Sequence, residues 1–238
     1  MNAFFYGLAL QWKLDIRSKA MLITCYVLPL LFFVFMGGIF TSINPASKDT
    51  LIQSMTIFGV SMGALVGLPP SLVEIYSSDI KKVYKANGIP LYLGVLTHFV
   101  SAFIHLLIMC TIIFFSAPLL FDASAPKNIL VFYVSLAIFI ATTLSIGCIF
   151  GLTMKNMAKL TMVSQIIFMP SLMLSGIMFP VDLLPKVLER VGRIFPATWA
   201  FRATAAGEFD FSLYIPMLIV FVVSVIICNF ALSKKIKN

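Results

Sequence analysis

At 238 residues, with 61% hydrophobic and 11% charged side chains, the chain lies far outside the composition of soluble globular domains. Its net charge of +8 does not signal a nucleic-acid partner, because the Lys and Arg residues flank apolar runs instead of gathering on one polar face. It carries neither Gly-x-Gly-x-x-Gly nor Gly-x-x-x-x-Gly-Lys-Ser/Thr, so it has no phosphate-cradling loop and any nucleotide energy must come from a partner.

Residues 1–20 predict an interfacial helix. Phe4, Phe5, Leu8 and Trp12 recur at helical spacing, while Asn2, Lys13, Asp15 and Arg17 fall largely elsewhere on the wheel. Six apolar runs follow, each long enough to cross a hydrocarbon core of about 30 Å: Met21 to Ile43, Leu51 to Val73, Leu93 to Leu119, Ile129 to Met154, Leu160 to Met178 and Leu213 to Leu232. The first exceeds the apolar core of a signal peptide and lacks a small-x-small site after it, so it reads as a retained span.

Lys13, Arg17, Lys19, Lys81, Lys82, Lys85, Lys155, Lys159, Lys234, Lys235 and Lys237 fall on one side of these spans. Lys48, Lys127, Lys186, Arg190, Arg193 and Arg202 fall on the other, offset there by Asp49, Asp122, Asp182, Glu189, Glu208 and Asp210. This asymmetry predicts both termini, and the tail 233–238, in the cytoplasm.

Within the spans, Gly59-x-x-x-Gly63-x-x-x-Gly67 and Gly147-x-x-x-Gly151 present small faces for close helix approach, either inside one chain or against a second copy. Pro69-Pro70 predicts an interruption and kink in the second span. Cys25, Cys110, Cys148 and Cys228 lie in separate runs and read as packing residues. No Asp, Glu, Lys or Arg sits at the middle of a span, which argues against an ion-coupled carrier. His98 and His105, two turns or about 10.5 Å apart, cannot share a metal ion; with Gln165, Thr142, Thr143 and Ser145 they read as interhelical hydrogen-bonding groups or as the lining of a substrate path. On the fifth span Met162, Gln165, Met169 and Met173 recur at helical spacing, an adaptable face that either packs in the core or lines such a path.

Between the second and third spans, Ser78 is a plausible N-cap, Asp79 suits a helix start, and Lys81, Lys82 and Lys85 suit its end before Asn87-Gly88 and Pro90. The result is a helix of about two turns whose apolar side, Ile80, Val83 and Tyr84, fits either a groove on a partner or an anionic lipid surface. From 179 to 212 the chain stays apolar between spans. Val187, Leu188, Val191 and Ile194 share one helical face, Pro185 suits a first turn, Glu189 and Arg193 pair at i,i+4, and Pro196 divides two short helices that dip into the outer leaflet.

The run Ser175-Gly176-Ile177-Met178-Phe179-Pro180, with Leu184-Pro185 and Phe195-Pro196-Ala197-Thr198-Trp199, resembles the membrane subunit of type-2 ATP-binding-cassette exporters. The loop ending Gly88-Ile89-Pro90 is similar to the coupling-helix region of that family, although Lys81-Lys82 stands where the family often has Gly-Thr. The resemblance implies a single all-α transmembrane domain over 1–238: six spans, an N-terminal interfacial helix, a cytoplasmic coupling helix and an extracellular re-entrant hairpin. It implies a permease half in the cell membrane that pairs with a second copy or close homologue. Separate ATP-binding subunits would bind ATP and Mg; no cofactor is expected in this chain itself. Coupling falls to Asp79, Ile80, Val83, Tyr84 and Lys85, and the outer gate to Ser175, Gly176, Phe179, Pro180, Pro185, Pro196 and Trp199. Drug, antibiotic and peptide exporters are the nearer likeness. The alternatives are a non-transporting immunity or sensory protein on the same scaffold, or an intramembrane serine protease. The protease reading lacks its Gly-x-Ser-Gly, since position 173 is Met.

Overall fold

Apolar runs of this length can satisfy their backbone in a bilayer only as helices or closed barrels, and the chain takes the first course. The computed structural model describes residues 3–77, 90–179 and 181–237, and among these no strand occurs. In chain order the helices are α1 (Ala3–Arg17), α2 (Lys19–Ile43), α3 (Leu51–Tyr76), α4 (Leu91–Phe121) and α5 (Ile129–Thr153), followed by α6 (Met157–Met173), α7 (Lys186–Gly192), α8 (Pro196–Ala206) and α9 (Phe211–Lys237). Their starts follow from the sequence. The side chains of Ser18, Asn128 and Asn156 accept hydrogen bonds from the first free N–H groups of α2, α5 and α6.

Five helices, α2, α3, α4, α5 and α9, are long and apolar enough to cross a membrane. The expected fifth span, Leu160 to Met178, is shorter than its composition promises. Its helix, α6, has 17 residues and rises about 25 Å, less than the roughly 30 Å of a hydrocarbon core. Leu174 closes it, and Gly176 then turns the chain at φ 91°, a left-handed conformation that suits glycine. Ile177 and Met178 extend the hydrophobic run without extending the helix.

Pro69 and Pro70 do not interrupt α3. The helix passes through them behind a π turn, Gly63–Gly67, where the Leu68 N–H reaches back five residues to the Gly63 carbonyl. The widened turn ends one residue, Leu68, before the two residues that cannot donate. The same device recurs in α2, where the π turn Ile23–Val27 precedes Leu28 and Pro29. The two π turns touch: a Cβ added at Gly63 or at Gly67 would stand 3.4 Å from the Cys25 sulfur.

α3 is the centre of the bundle and the most buried of the five long helices. Its glycine face serves packing within the chain. A Cβ at Gly59 would meet Met109 at 2.5 Å and Pro29 at 3.3 Å, and one at Gly63 would meet Leu106. From the other side, a Cβ at Gly147 would collide with the Ala64 carbonyl oxygen, and one at Gly151 would stand 3.1 Å from the Pro69 carbonyl oxygen. Aromatic rings join α2, α3 and α6: Phe32 stacks on Phe58 at 3.7 Å, and Phe168 lies tilted 5.9 Å from Phe58. At one end of the bundle the α2–α3 and α4–α5 connections are pinned together by Ser124 Oγ donating to Asp49 at 2.7 Å and by the Lys48–Asp122 pair at 3.6 Å.

Gly147→Ala therefore forces two helix backbones apart and should cost about 1–3 kcal/mol, read as a lowered thermal midpoint in detergent. Gly38→Ala, whose new methyl would meet only Phe121 at 3.8 Å, should leave the midpoint unchanged.

Candidate functional site

The expected coupling residues, Asp79, Ile80, Val83, Tyr84 and Lys85, lie outside the described residues. Their flanks are described and are tied together. The Tyr76 hydroxyl, at the end of α3, donates to the Leu91 carbonyl at the start of α4, and Lys235 of α9 donates to the Tyr76 carbonyl at 3.0 Å. Three helices thus converge on the two ends of that loop.

Of the expected gate residues beyond α6, all but Pro180 lie among the described residues. Ser175 is fully buried and donates to the Leu172 carbonyl at 2.9 Å. At Gly176 a Cβ would meet Val181 at 2.8 Å and Phe201 at 3.4 Å, so the turn is packed on both sides. Phe179 is half exposed. Pro185 stands one residue before α7, at φ −53° and ψ 142°, instead of in its first turn as expected. Its extended ψ keeps it out of the helix, and its carbonyl accepts the Glu189 N–H at 3.0 Å.

α7 is exposed, with Val187 and Val191 outward and Ile194 outward in the turn after it, while α8 is sunk into the bundle. Small residues make that possible: Ala197, Ala200, Ala203 and Thr204 are all buried where α8 meets α3, α5, α6 and α9. Pro196 opens α8 at its first position, where the missing N–H costs nothing. The corner between α7 and α8 is closed by side chains reaching back: Thr198 donates to the Gly192 carbonyl at 2.5 Å, and Trp199 Nε1 donates to the Arg193 carbonyl at 2.7 Å. Arg202 lies over the Trp199 ring at 5.6 Å. Arg193 bonds Glu189 at 2.7 Å; that hydrogen bond first, then the nearby charges of Arg193, Arg202 and Arg190, holds the Glu189 carboxyl below the usual carboxylate range.

Met162, Gln165, Met169 and Met173 do share one face of α6, and that face points out of the bundle. Packing in the chain's own core is therefore excluded for them. The opposite side of α6, with Leu160, Ser164, Phe168, Ser171 and Leu172, fills that role.

The polar group that sequence reasoning missed is on α1. Asp15 is buried, accepting from Gln11 Nε2 at 2.7 Å and from Ser101 of α4 at 2.5 Å. Trp12 stacks on His105 at 4.0 Å with the rings 4° from parallel, and His105 Nδ1 shares a 2.7 Å hydrogen bond with the Tyr26 hydroxyl. His98 bonds its own helix, through the Gly94 carbonyl at 2.9 Å. So the face of α1 that meets the bundle is Gly7, Leu8, Gln11, Trp12 and Asp15, while Phe5, Tyr6, Leu10 and Leu14 point outward. The signal was present in the spacing: Asp15 falls three residues after Trp12 and seven after Leu8, on their face.

The family model for the ABC-2 type transporter matches residues 2–209, from α1 through α8. The chain belongs to the ABC-2 type transporter family. It is a multi-pass membrane protein and the permease component of a transporter. No curated protein matches it. In this ABC-2 type permease the matched stretch includes both the hairpin and the Asp15 junction.

Replacing Asp15 by Ala leaves the Ser101 hydroxyl and the Gln11 amide without their carboxyl partner. We expect α1 to loosen by about 2–3 kcal/mol, seen as faster amide exchange over residues 3–17. Lys13→Ala, on the exposed side of α1, should leave that exchange unchanged.

Proposed function

We propose that this chain is one half of an ATP-driven exporter, paired with a second copy or close homologue and powered by separate ATP-binding subunits that hold ATP and Mg. The family match over residues 2–209 carries the reading. In it α6 serves as the fifth of six spans, both termini face the cytoplasm, and α7 and α8 form a re-entrant hairpin in the outer leaflet of the cell membrane.

The outward face of α6 supports the paired arrangement. Gln165 is the central residue of α6 and is exposed. An amide at mid-depth of a bilayer is costly against lipid and acceptable against protein or a water-lined path. Met162, Met169 and Met173 beside it supply a soft, adaptable surface for an apolar substrate or a facing helix. Drug-like and peptide-like substrates suit such a surface, which selects by shape and area.

Energy enters at the opposite end. Closure of the ATP-binding subunits presses on the loop carrying Asp79, Ile80, Val83, Tyr84 and Lys85. The Tyr76, Leu91 and Lys235 contacts hand that displacement to α3, α4 and α9 together. The hairpin residues Ser175, Gly176, Phe179, Pro180, Pro185, Pro196 and Trp199 brace the exit.

Reconstitution with the ATP-binding subunit tests both ends. Val83→Asp should abolish stimulation of partner ATPase and transport while assembly persists; unchanged stimulation overturns the coupling assignment. Gln165→Cys should form a disulfide between two copies under oxidation. A chain that stays monomeric with its partner present overturns the shared path.

A further inference from the structure

α3 changes partners halfway along. Its first half, Leu51–Met62, packs mainly on α4, α2 and α8, whereas the second, from Leu68 on, lies mainly on α5. The bundle divides accordingly. α1, α2 and α4 form one body with the first half of α3: Asp15 of α1 bonds Ser101 of α4, and Tyr26 of α2 bonds His105 of α4. α5, α8 and α9 form the other with the second half. Tyr214 of α9 bonds Ser135 of α5 at 2.7 Å, α8 packs on both helices, and Lys235 of α9 donates to the Tyr76 carbonyl.

The crossing from one body to the other falls on the π turn Gly63–Gly67. A helix is stiff through its hydrogen bonds, and here one is missing in either register. The Leu65 carbonyl would be served by the N–H four or five residues on, and those positions are Pro69 and Pro70. At the same point the bodies touch backbone to backbone, Gly147 of α5 against the Ala64 carbonyl. No side chain interlocks at that contact, so it can roll.

There is also room to move. A cavity of about 270 Å³ separates the bodies, with Tyr92, Leu96 and Phe99 of α4 on one wall, Val225 and Leu232 of α9 on the other, and Cys148 of α5 between them. α4 and α5 meet away from it, where Phe114 lies 5.7 Å from both Phe132 and Tyr133, and they part toward Leu96 and Cys148. Apolar walls gain little by leaving lipid for each other, so their hydrophobicity does not fix the width of the gap.

We propose that the two bodies rock about the Gly147–Ala64 contact, hinged by the π turn of α3, and that α4 and α9 thereby close and open the cavity. Residues 78–89 join the second half of α3 to α4, hence one body to the other, so a force on them acts across the hinge. That ATP-binding subunits supply the force rests on the function proposed above; the hinge itself belongs to this chain.

The test uses the full-length chain in lipid nanodiscs without any partner, carrying Cys228→Ala, since the other three cysteines are buried. Spin labels are attached at Leu96→Cys with Val225→Cys, across the cavity, or at Thr153→Cys with Val225→Cys, both in the second body. All three positions are exposed. Double electron–electron resonance should give a distance distribution about twice as broad across the cavity as within the body. Pro69→Ala with Pro70→Ala, which returns the missing N–H groups, should narrow the first to the width of the second. Pro69→Ala alone serves if the double variant does not fold. Equal widths in the chain with its native prolines overturn the proposal, as does a cross-cavity width that no proline variant changes.

Discussion

The bundle depends on two backbones meeting without a side chain between them, at Gly147 of α5 against the Ala64 carbonyl of α3. In lipid there is little hydrophobic gain in bringing one apolar helix to another, so association rests on contact area and close approach. Glycines on α3 and α5 provide that approach, and α3 becomes enclosed. Everything else is arranged by what α3 leaves over. α2 and α6 flank it through the Phe32, Phe58 and Phe168 rings, α8 fills the space between its N-terminal half and α5, and α9 lies along α5 with most of its surface outward.

The spans were legible from the sequence wherever hydropathy and helix formation coincide. They part company after Met173. Hydropathy continues through Met178, yet the chain turns at Gly176, because a left-handed glycine outweighs an apolar run in deciding where a helix stops. At Pro69-Pro70 the opposite occurs. A local rule that ends helices is overridden by a π turn one residue upstream, which removes the conflict that the rule describes. No residue-by-residue pattern announces such a turn.

The functional regions were legible to different depths. The hairpin residues were recognisable as a motif, and their contacts explain the motif's composition. Ser175 and Gly176 make the turn, Pro196 starts a helix, Thr198 and Trp199 bond the preceding corner, and the alanines let α8 enter the bundle. Asp15 was misjudged because a charge on an amphipathic helix is ordinarily assigned to water, whereas here Ser101 and Gln11 offer it donors inside the protein. The α6 stripe was ambiguous for a related reason. Periodicity finds a face but does not say which of two faces the bundle will use, and Ser164 went inward while Gln165 went outward.

The π turns in α2 and α3 also change the phase of those helices. Each holds one residue more than an α turn would, so the side chains beyond it stand about 100° from where an unbroken α-helix of the same residues would put them. The last two turns of α3 are thus aimed by a residue count, independently of the apolar pattern that seats its first half. Tyr76 faces Leu91 only in that phase. Removing a single residue between 63 and 67 would restore an ordinary α turn and leave Tyr76 facing α4, whereas straightening the turn with all its residues kept would swing Tyr76 away.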